Sequence, residues 1–152
     1  PLRVTRYELR DDSAAAGRWR GGIGSVREVK FLEDRVFSVE GDGHKFAPWG
    51  YDGGAEGNTA NLEYLDATGE RKGLPSMMPN RAVRAGESLA LTGTCGGGYG
   101  DPMTRPEVEV LEDVLDGYIS VERAQEDYGV VITPTMDVDS AATAARRSAG
   151  AK

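Results

Sequence analysis

Few residues in this sequence could do chemistry by themselves. His44 is the only histidine and Cys95 the only cysteine. A metal site needs clustered Cys, His or carboxylate ligands at close spacing. These two lie far apart in the chain, so no zinc site is expected. Cys95, followed by Gly96, could serve as a nucleophile only with a base beside it, and His44 is the sole histidine available for that role. The competing reading makes Cys95 a small residue in a tight turn. His44 lies in GDGHKFAPWG, where it could face a site or bond the backbone as an ordinary loop histidine. Asp137-x-Asp139 pairs two carboxylates at a spacing too common to signify a ligand set. No GxxxxGK[ST] loop is present, and Gly22-Ile-Gly24 lacks the third glycine of a dinucleotide fingerprint. No catalytic, cofactor-binding or metal-binding residue is therefore assigned.

The remaining candidates are charged or aromatic. Between residues 101 and 139 there are eleven acids and two basic side chains. The carboxylates from 107 to 127 could be acid/base groups, a docking face for a basic partner, or a solvated helix face, which is the commonest case. The formal net charge of −7 argues against nucleic acid, which needs a basic surface. Trp19 and Trp49 flank glycine-rich stretches and read as plugs of a thin core or as interface residues.

The elements that must position these residues are sparse in core material. The chain has 152 residues, the size of one domain, with 39% apolar side chains, 7% aromatics and 21 glycines. Such a composition often leans on a partner surface. A single cysteine gives no sign of an oxidising compartment. No run approaches the ~20 apolar residues of a membrane span, and no leader is evident, so a cytoplasmic chain without membrane contact is expected. Pro1 is a small residue of the kind that follows removal of an initiator methionine, which reads as a natural start.

Strands are predicted over 2–10, 25–32, 35–40, 62–66, 87–93 and 130–133 from period-two alternation. Glu33-Asp34 suits a tight hairpin between the second and third. Residues 41–61 hold six glycines and read as a long, packed irregular segment. Glycine-rich stretches of this kind can pack as polyproline-type helices. Thr104 with Pro106 and Glu107 gives a capping-box start, and Val108, Leu111 and Leu115 form one apolar stripe. Ser120 caps a second helix that ends at Gly129. The fold class is thus mainly β, with glycine-rich irregular segments and two short C-terminal helices. Residues 1–133 form the domain. Residues 134–152, without evident caps, read as a tail whose removal leaves assembly intact.

Four glycine-centred blocks carry a family resemblance. They are RYELRDDSAAAGRWRGGIGSVREVKFL at 6–32, FAPWGYDGGAEGNTANL at 46–62, GGGYGDPMTRP at 96–106 and VLDGYISVERAQEDYGVVI at 114–132. In this order they resemble the C-terminal portion of the B-type subunit of the hydantoinase/oxoprolinase family. Cys95 departs from the pattern, since a proline is usual before the glycine run. The family includes ATP-dependent oxoprolinases, hydantoinases and biotin-independent ketone carboxylases. The resemblance implies a small structural subunit that completes the fold of a large B-type subunit. The organisation is most similar to ketone carboxylases of the acetophenone type, with an ATP-dependent hydantoinase or 5-oxoprolinase as the alternative. It implies hydantoinase A-like and B-like partners in a hetero-oligomer. ATP and a divalent metal would be held on those partners, and no cofactor by this chain. The isolated chain would be inactive. A reading from another class, a free-standing ligand-binding β domain, would instead give a stable monomer without partners.

Overall fold

The computed structural model describes residues 1–150 and divides them into two units. The first comprises residues 1–10, 24–47 and 59–94, and the second 11–23, 48–58 and 95 onward.

The first unit is all β. Its strands are β1 (Leu2–Leu9), β2 (Ser25–Phe31), β3 (Arg35–Glu40), β4 (Asn61–Leu65), β5 (Arg71–Gly73), β6 (Met77–Val83) and β7 (Ser88–Thr92). Five form an antiparallel sheet in the order β1-β2-β7-β4-β5, and β3 pairs with β6 as a separate ribbon. Alternation places Val29 and Phe31 of β2 on the same face as Leu89 and Leu91 of β7. That face is covered by Phe37 of β3 and Val83 of β6, and Phe31, Val83 and Leu89 are buried together. Full burial of side chains this size stabilises by about 1.5–3 kcal/mol each.

The expected hairpin across Glu33-Asp34 does not form. Both edges of β2 are already taken, by β1 and β7, so the chain leaves the sheet at this turn. Asp34 instead accepts the Ala85 N–H at 2.9 Å, tying the turn to the β6–β7 connection. The β6 strand itself, MMPNRAV, gives no strand signal because of Pro79 and Asn80. It survives because it belongs to a two-stranded ribbon, where proline is tolerated. Asn80 takes a positive φ of 49°, and its N–H reaches Ser38 Oγ at 3.1 Å where the register shifts.

The second unit is built on three glycine-bearing segments, 14–22, 48–58 and 95–100. They touch backbone to backbone. Trp19 and Tyr99 exchange N–H···O bonds at 2.9 Å, Tyr51 donates to Gly98 O at 2.9 Å, and Ala55 donates to Ala16 O at 2.8 Å. A Cβ on Gly54 would fall within 3.0 Å of the Gly98 carbonyl, and one on Gly98 within 3.0 Å of the Ala16 carbonyl. Real Cβ atoms essentially never come that close. The glycines are thus required by proximity.

Helices α1 (Glu107–Leu115), α2 (Val121–Tyr128) and α3 (Ser140–Gly150) belong to this unit. Ala14 and Ala16 are buried with Val110, Ile119, Ala124, Tyr128, Val130 and Ile132. The cap of α2 is as expected: Ser120 Oγ accepts the Arg123 N–H at 3.3 Å, and Gly129 closes the helix at φ 65°. Three expectations differ. Thr104 does not open α1. Asp101 caps a short 3-10 turn over Pro102–Thr104, and α1 begins at Glu107 with no side-chain cap. The inner face of α1 is Val110 and Asp113, flanked by Leu111 and Val114, while Val108 and Leu115 are exposed. Residues 130–133 make only a bridge, Ile132 to Val138.

The stretch read as a tail contains α3. Asp139 Oδ1 accepts the Ala142 N–H at 2.9 Å, a cap hidden in an Asp-x-Asp pair. Thr143 is fully buried and its hydroxyl accepts the Val131 N–H at 3.0 Å. Arg147 donates to the Tyr128 and Arg105 carbonyls at 2.9 and 2.8 Å. Alanine-rich composition concealed a helix held by these polar anchors. Residues 151 and 152 of the expected tail lie outside the described residues.

Neighbouring glycines separate close approach from mere flexibility. A Cβ on Gly21 would run into the Gly96 carbonyl, whereas one on Gly22 meets nothing within 4 Å. Gly21→Ala is expected to cost about 3 kcal/mol or more in a denaturant melt. Gly22→Ala should change stability by about 1 kcal/mol or less. Equal effects would refute the packing argument.

Candidate functional site

The sequence candidates are dispersed. Cys95 is buried in the glycine layer, with its N–H donating to Asn58 O at 3.1 Å. Its carbonyl stands where a Cβ on Gly57 would collide, so the turn-residue reading fits. His44 is half-buried in the β unit and lines a cleft of about 400 Å³ with Tyr7, Arg27, Glu40, Asp42 and Thr94. Its ring lies against Gly41, where a Cβ would be 3.2 Å from Nε2. The cleft mixes one cation with two carboxylates and offers polar contacts, but it holds no thiol. His44 and Cys95 belong to different units. Among the described residues, no group of three or more His, Cys, Asp or Glu side chains could hold a metal ion.

Asp137 accepts from Thr135 Oγ1 at 2.9 Å, and Asp139 caps α3, so both shape the chain locally. Trp19 and Trp49 are 57% and 81% exposed and do not plug a core. Trp19 lies under the Arg18 guanidinium at 4.7 Å. Beside it in the glycine layer, Tyr51 and Tyr99 stack at 5.8 Å.

Among the carboxylates of α1 and α2, Glu112, Glu122 and Glu126 are exposed, Glu107, Glu109 and Asp127 are half-buried, and Asp113 is buried. The helix turns it inward, and two arginines meet it. Arg105 Nη2 is 2.9 Å from Oδ2, and Arg20 Nε is 2.8 Å from Oδ1. Arg105, also buried, reaches Glu109 at 3.2 Å and the Arg18 carbonyl at 3.2 Å. Arg20 stacks over Tyr118 at 4.8 Å. These contacts clamp the first glycine segment to α1. Spacing alone gives no hint of the cluster, because Asp113 sits in an acidic run and its partners are remote in sequence. Tyr128 is 0% exposed beside it, and its hydroxyl has no hydrogen-bond partner among the described residues. Burial pushes its pKa up to about 12, with the Arg105 charge opposing and Asp113 adding to the rise.

Chemically this cluster is a fastening. Both carboxylate oxygens of Asp113 are engaged by arginines. Together with the glycine layer it defines a structural domain of interlocked backbone segments. The chain belongs to the hydantoinase B/oxoprolinase family, whose model matches residues 1–102. It is 54% identical over 140 residues to the B-type subunit of a putative D-/L-hydantoinase from Pseudomonas sp. (strain NS671), covering 91% of this chain and 24% of that protein. It is 29% identical over 186 residues to the acetone carboxylase alpha subunit of Xanthobacter autotrophicus (strain ATCC BAA-1158 / Py2), covering 97% of this chain and 24% of that one. The crystal structure of ATP-dependent caprolactamase from Pseudomonas jessenii matches its fold with a TM-score of 0.77 at 31% identity, over 97% of this chain and 26% of that chain. The chain thus spans about a quarter of the length of these relatives. No described helix is long and apolar enough to cross a membrane.

Two substitutions test the cluster. Asp113→Ala leaves Arg105 buried without its main counter-charge and is expected to cost about 3–5 kcal/mol in a urea melt. A loss below about 1 kcal/mol would make the cluster incidental. Tyr128→Phe removes a hydroxyl that makes no bond among the described residues, so stability near neutral pH should hold or rise slightly. The alkaline limb should change as well. The folded tyrosine keeps its proton to about pH 12, while the unfolded one releases it near its ordinary pKa of 10.0. Wild type therefore loses stability between those values, and the Phe variant should lose less over that window. Identical alkaline profiles would refute the assignment.

Proposed function

We propose that this chain supplies the C-terminal part of a B-type subunit in an ATP-dependent hydrolase of cyclic amides, of the hydantoin or lactam class. One observation carries the reading: 54% identity to the B-type subunit of a putative hydantoinase across nearly the whole chain, over only a quarter of that protein's length. The likeness to caprolactamase at 31% identity supports the same class. In this reading the chain completes the fold of a large B-type polypeptide. ATP and a divalent metal are bound by the partner subunits, one of them hydantoinase A-like. The structural character of the clamp at Asp113 suits this division of labour, because its charged groups are committed to holding segments together.

A second reading is a ketone carboxylase of the acetophenone type. Its support is the match to the acetone carboxylase alpha subunit over 97% of this chain, at the lower identity of 29%. The two share the role of the chain and differ in the reaction of the whole. The assembled complex is to be assayed with ATP and a hydantoin or lactam, and separately with ATP, labelled bicarbonate and acetophenone. Ring opening coupled to ATP hydrolysis is the expected result, with no activity from the chain alone. Label fixed into an acid-stable product, without ring opening, would overturn the hydrolase reading in favour of the carboxylase.

A further inference from the structure

The two edges of the five-stranded sheet are unlike. The β5 edge has three residues, two of them Arg71 and Lys72. Short length and basic side chains are the usual protection of a sheet edge. The β1 edge has eight residues, every one exposed. Leu2, Val4, Tyr7 and Leu9 are each more than half exposed. Their spacing of two, three and two would split them between the faces of a regular strand. It does not, because the register shifts between Val4 and Arg6, leaving Thr5 as the extra residue. Leu2, Val4, Tyr7 and Leu9 stand opposite Phe31, Val29, Arg27 and Ser25 of β2, which all share one face.

The backbone tells the same story. Antiparallel pairs alternate between those that exchange hydrogen bonds and those that do not. The Leu32 N–H bonds Pro1 O at 2.8 Å, and the Arg10 N–H bonds Gly24 O at 2.9 Å. Counting inward from these two bonds, Leu2, Val4, Tyr7 and Leu9 fall at the non-exchanging positions. Their N–H and C=O groups therefore point away from β2, toward the open edge. The same four residues present apolar side chains on one face and ladder groups at the rim. Beside them, on that face, runs an apolar groove of about 390 Å³ lined by Leu2, Val29, Phe31, Val36, Phe37 and Leu91.

We infer that β1 is a docking edge, and that its occupant is an extended segment of the large B-type polypeptide, added to the sheet as a sixth strand. This rests on the subunit reading above. The occupant is specified by three observations. The rim demands a strand that supplies matching backbone groups. The groove demands apolar side chains at alternate positions of that strand. Finally, about three-quarters of each relative's length has no counterpart in this chain, so under the subunit reading a much longer polypeptide is available to supply such a segment. Closing this edge would bury the longest unprotected strand of the unit.

The test uses the full chain coexpressed with the large B-type chain of its assembly. Hydrogen exchange is read at single residues, free and in complex. The amides of Leu2, Val4, Tyr7 and Leu9 should slow by about tenfold or more on assembly, while that of Arg10, already bonded, changes less. Val4→Lys with Leu9→Lys should reduce recovery of the large chain about tenfold, with an unchanged melt of the chain alone. Val108→Lys with Leu115→Lys, on the exposed side of α1, should not. Unchanged exchange at the four amides in the complex overturns the inference. So does wild-type recovery with the β1 variant, or protection that arises in the chain alone as its concentration rises, which would make the occupant a second copy. If wild type recovers no B-type chain at all, the subunit reading itself has failed.

Discussion

Backbone contact between three glycine-bearing segments is the constraint on which the second unit depends. Elsewhere in proteins, side chains keep main chains several ångströms apart. Here the carbonyls of Ala16, Gly96 and Gly98 occupy the space where Cβ atoms of Gly98, Gly21 and Gly54 would lie. Each segment then satisfies the others' peptide groups, as Tyr51, Ala55 and Tyr99 do across the layer. Everything packed around the layer inherits its spacing. Ala14 and Ala16 are buried in one cluster with Val110 and Tyr128. The layer has little side-chain volume of its own, so its position is secured from outside by charge. Asp113 pulls Arg20, in the first glycine segment, and Arg105, just before α1, onto one carboxylate. Breaking such a pair leaves a buried charge uncompensated, which is why it acts as a lock on the arrangement.

How much of this was legible in the sequence depended on whether the cause was local. Alternation found β2, β3 and β7, since one face of each strand meets a core. Ser120 and Gly129 marked α2 because capping is settled within four residues. Pairing was not legible. Nothing in Glu33-Asp34 says that β2 already has two neighbours. The inner face of α1 was misread for a similar reason. A search for apolar stripes cannot choose Asp113 over Leu115 when the deciding arginines lie 93 and eight residues away. The cap of α3, Asp139, was hidden in a common Asp-x-Asp pair, and the alanine-rich stretch after it has no apolar period to announce a helix.

The candidate site followed the same rule. The sequence offers only His44 and Cys95 as a base and a thiol, and the structure shows the first lining a cleft of the β unit and the second buried in the glycine layer. The glycine-centred blocks identified the family because close backbone approach fixes glycines at particular positions, and such positions leave a readable pattern. The relatives that share these blocks are about four times as long as the part they share with this chain. This chain's two buried charged side chains among the described residues, Arg105 and Asp113, are paired with each other.

The glycine layer also sets how the unit should respond to temperature. Ordinary cores expose apolar surface on unfolding, which raises the heat capacity, whereas exposed peptide groups lower it. A layer of main chain packed on main chain releases mostly peptide groups. Per residue, the layer therefore contributes a smaller heat-capacity change than an apolar core of equal size. The curvature of the unit's stability with temperature then comes chiefly from the apolar cluster around Val110 and Tyr128, and the layer adds hydrogen bonds whose strength varies less on cooling.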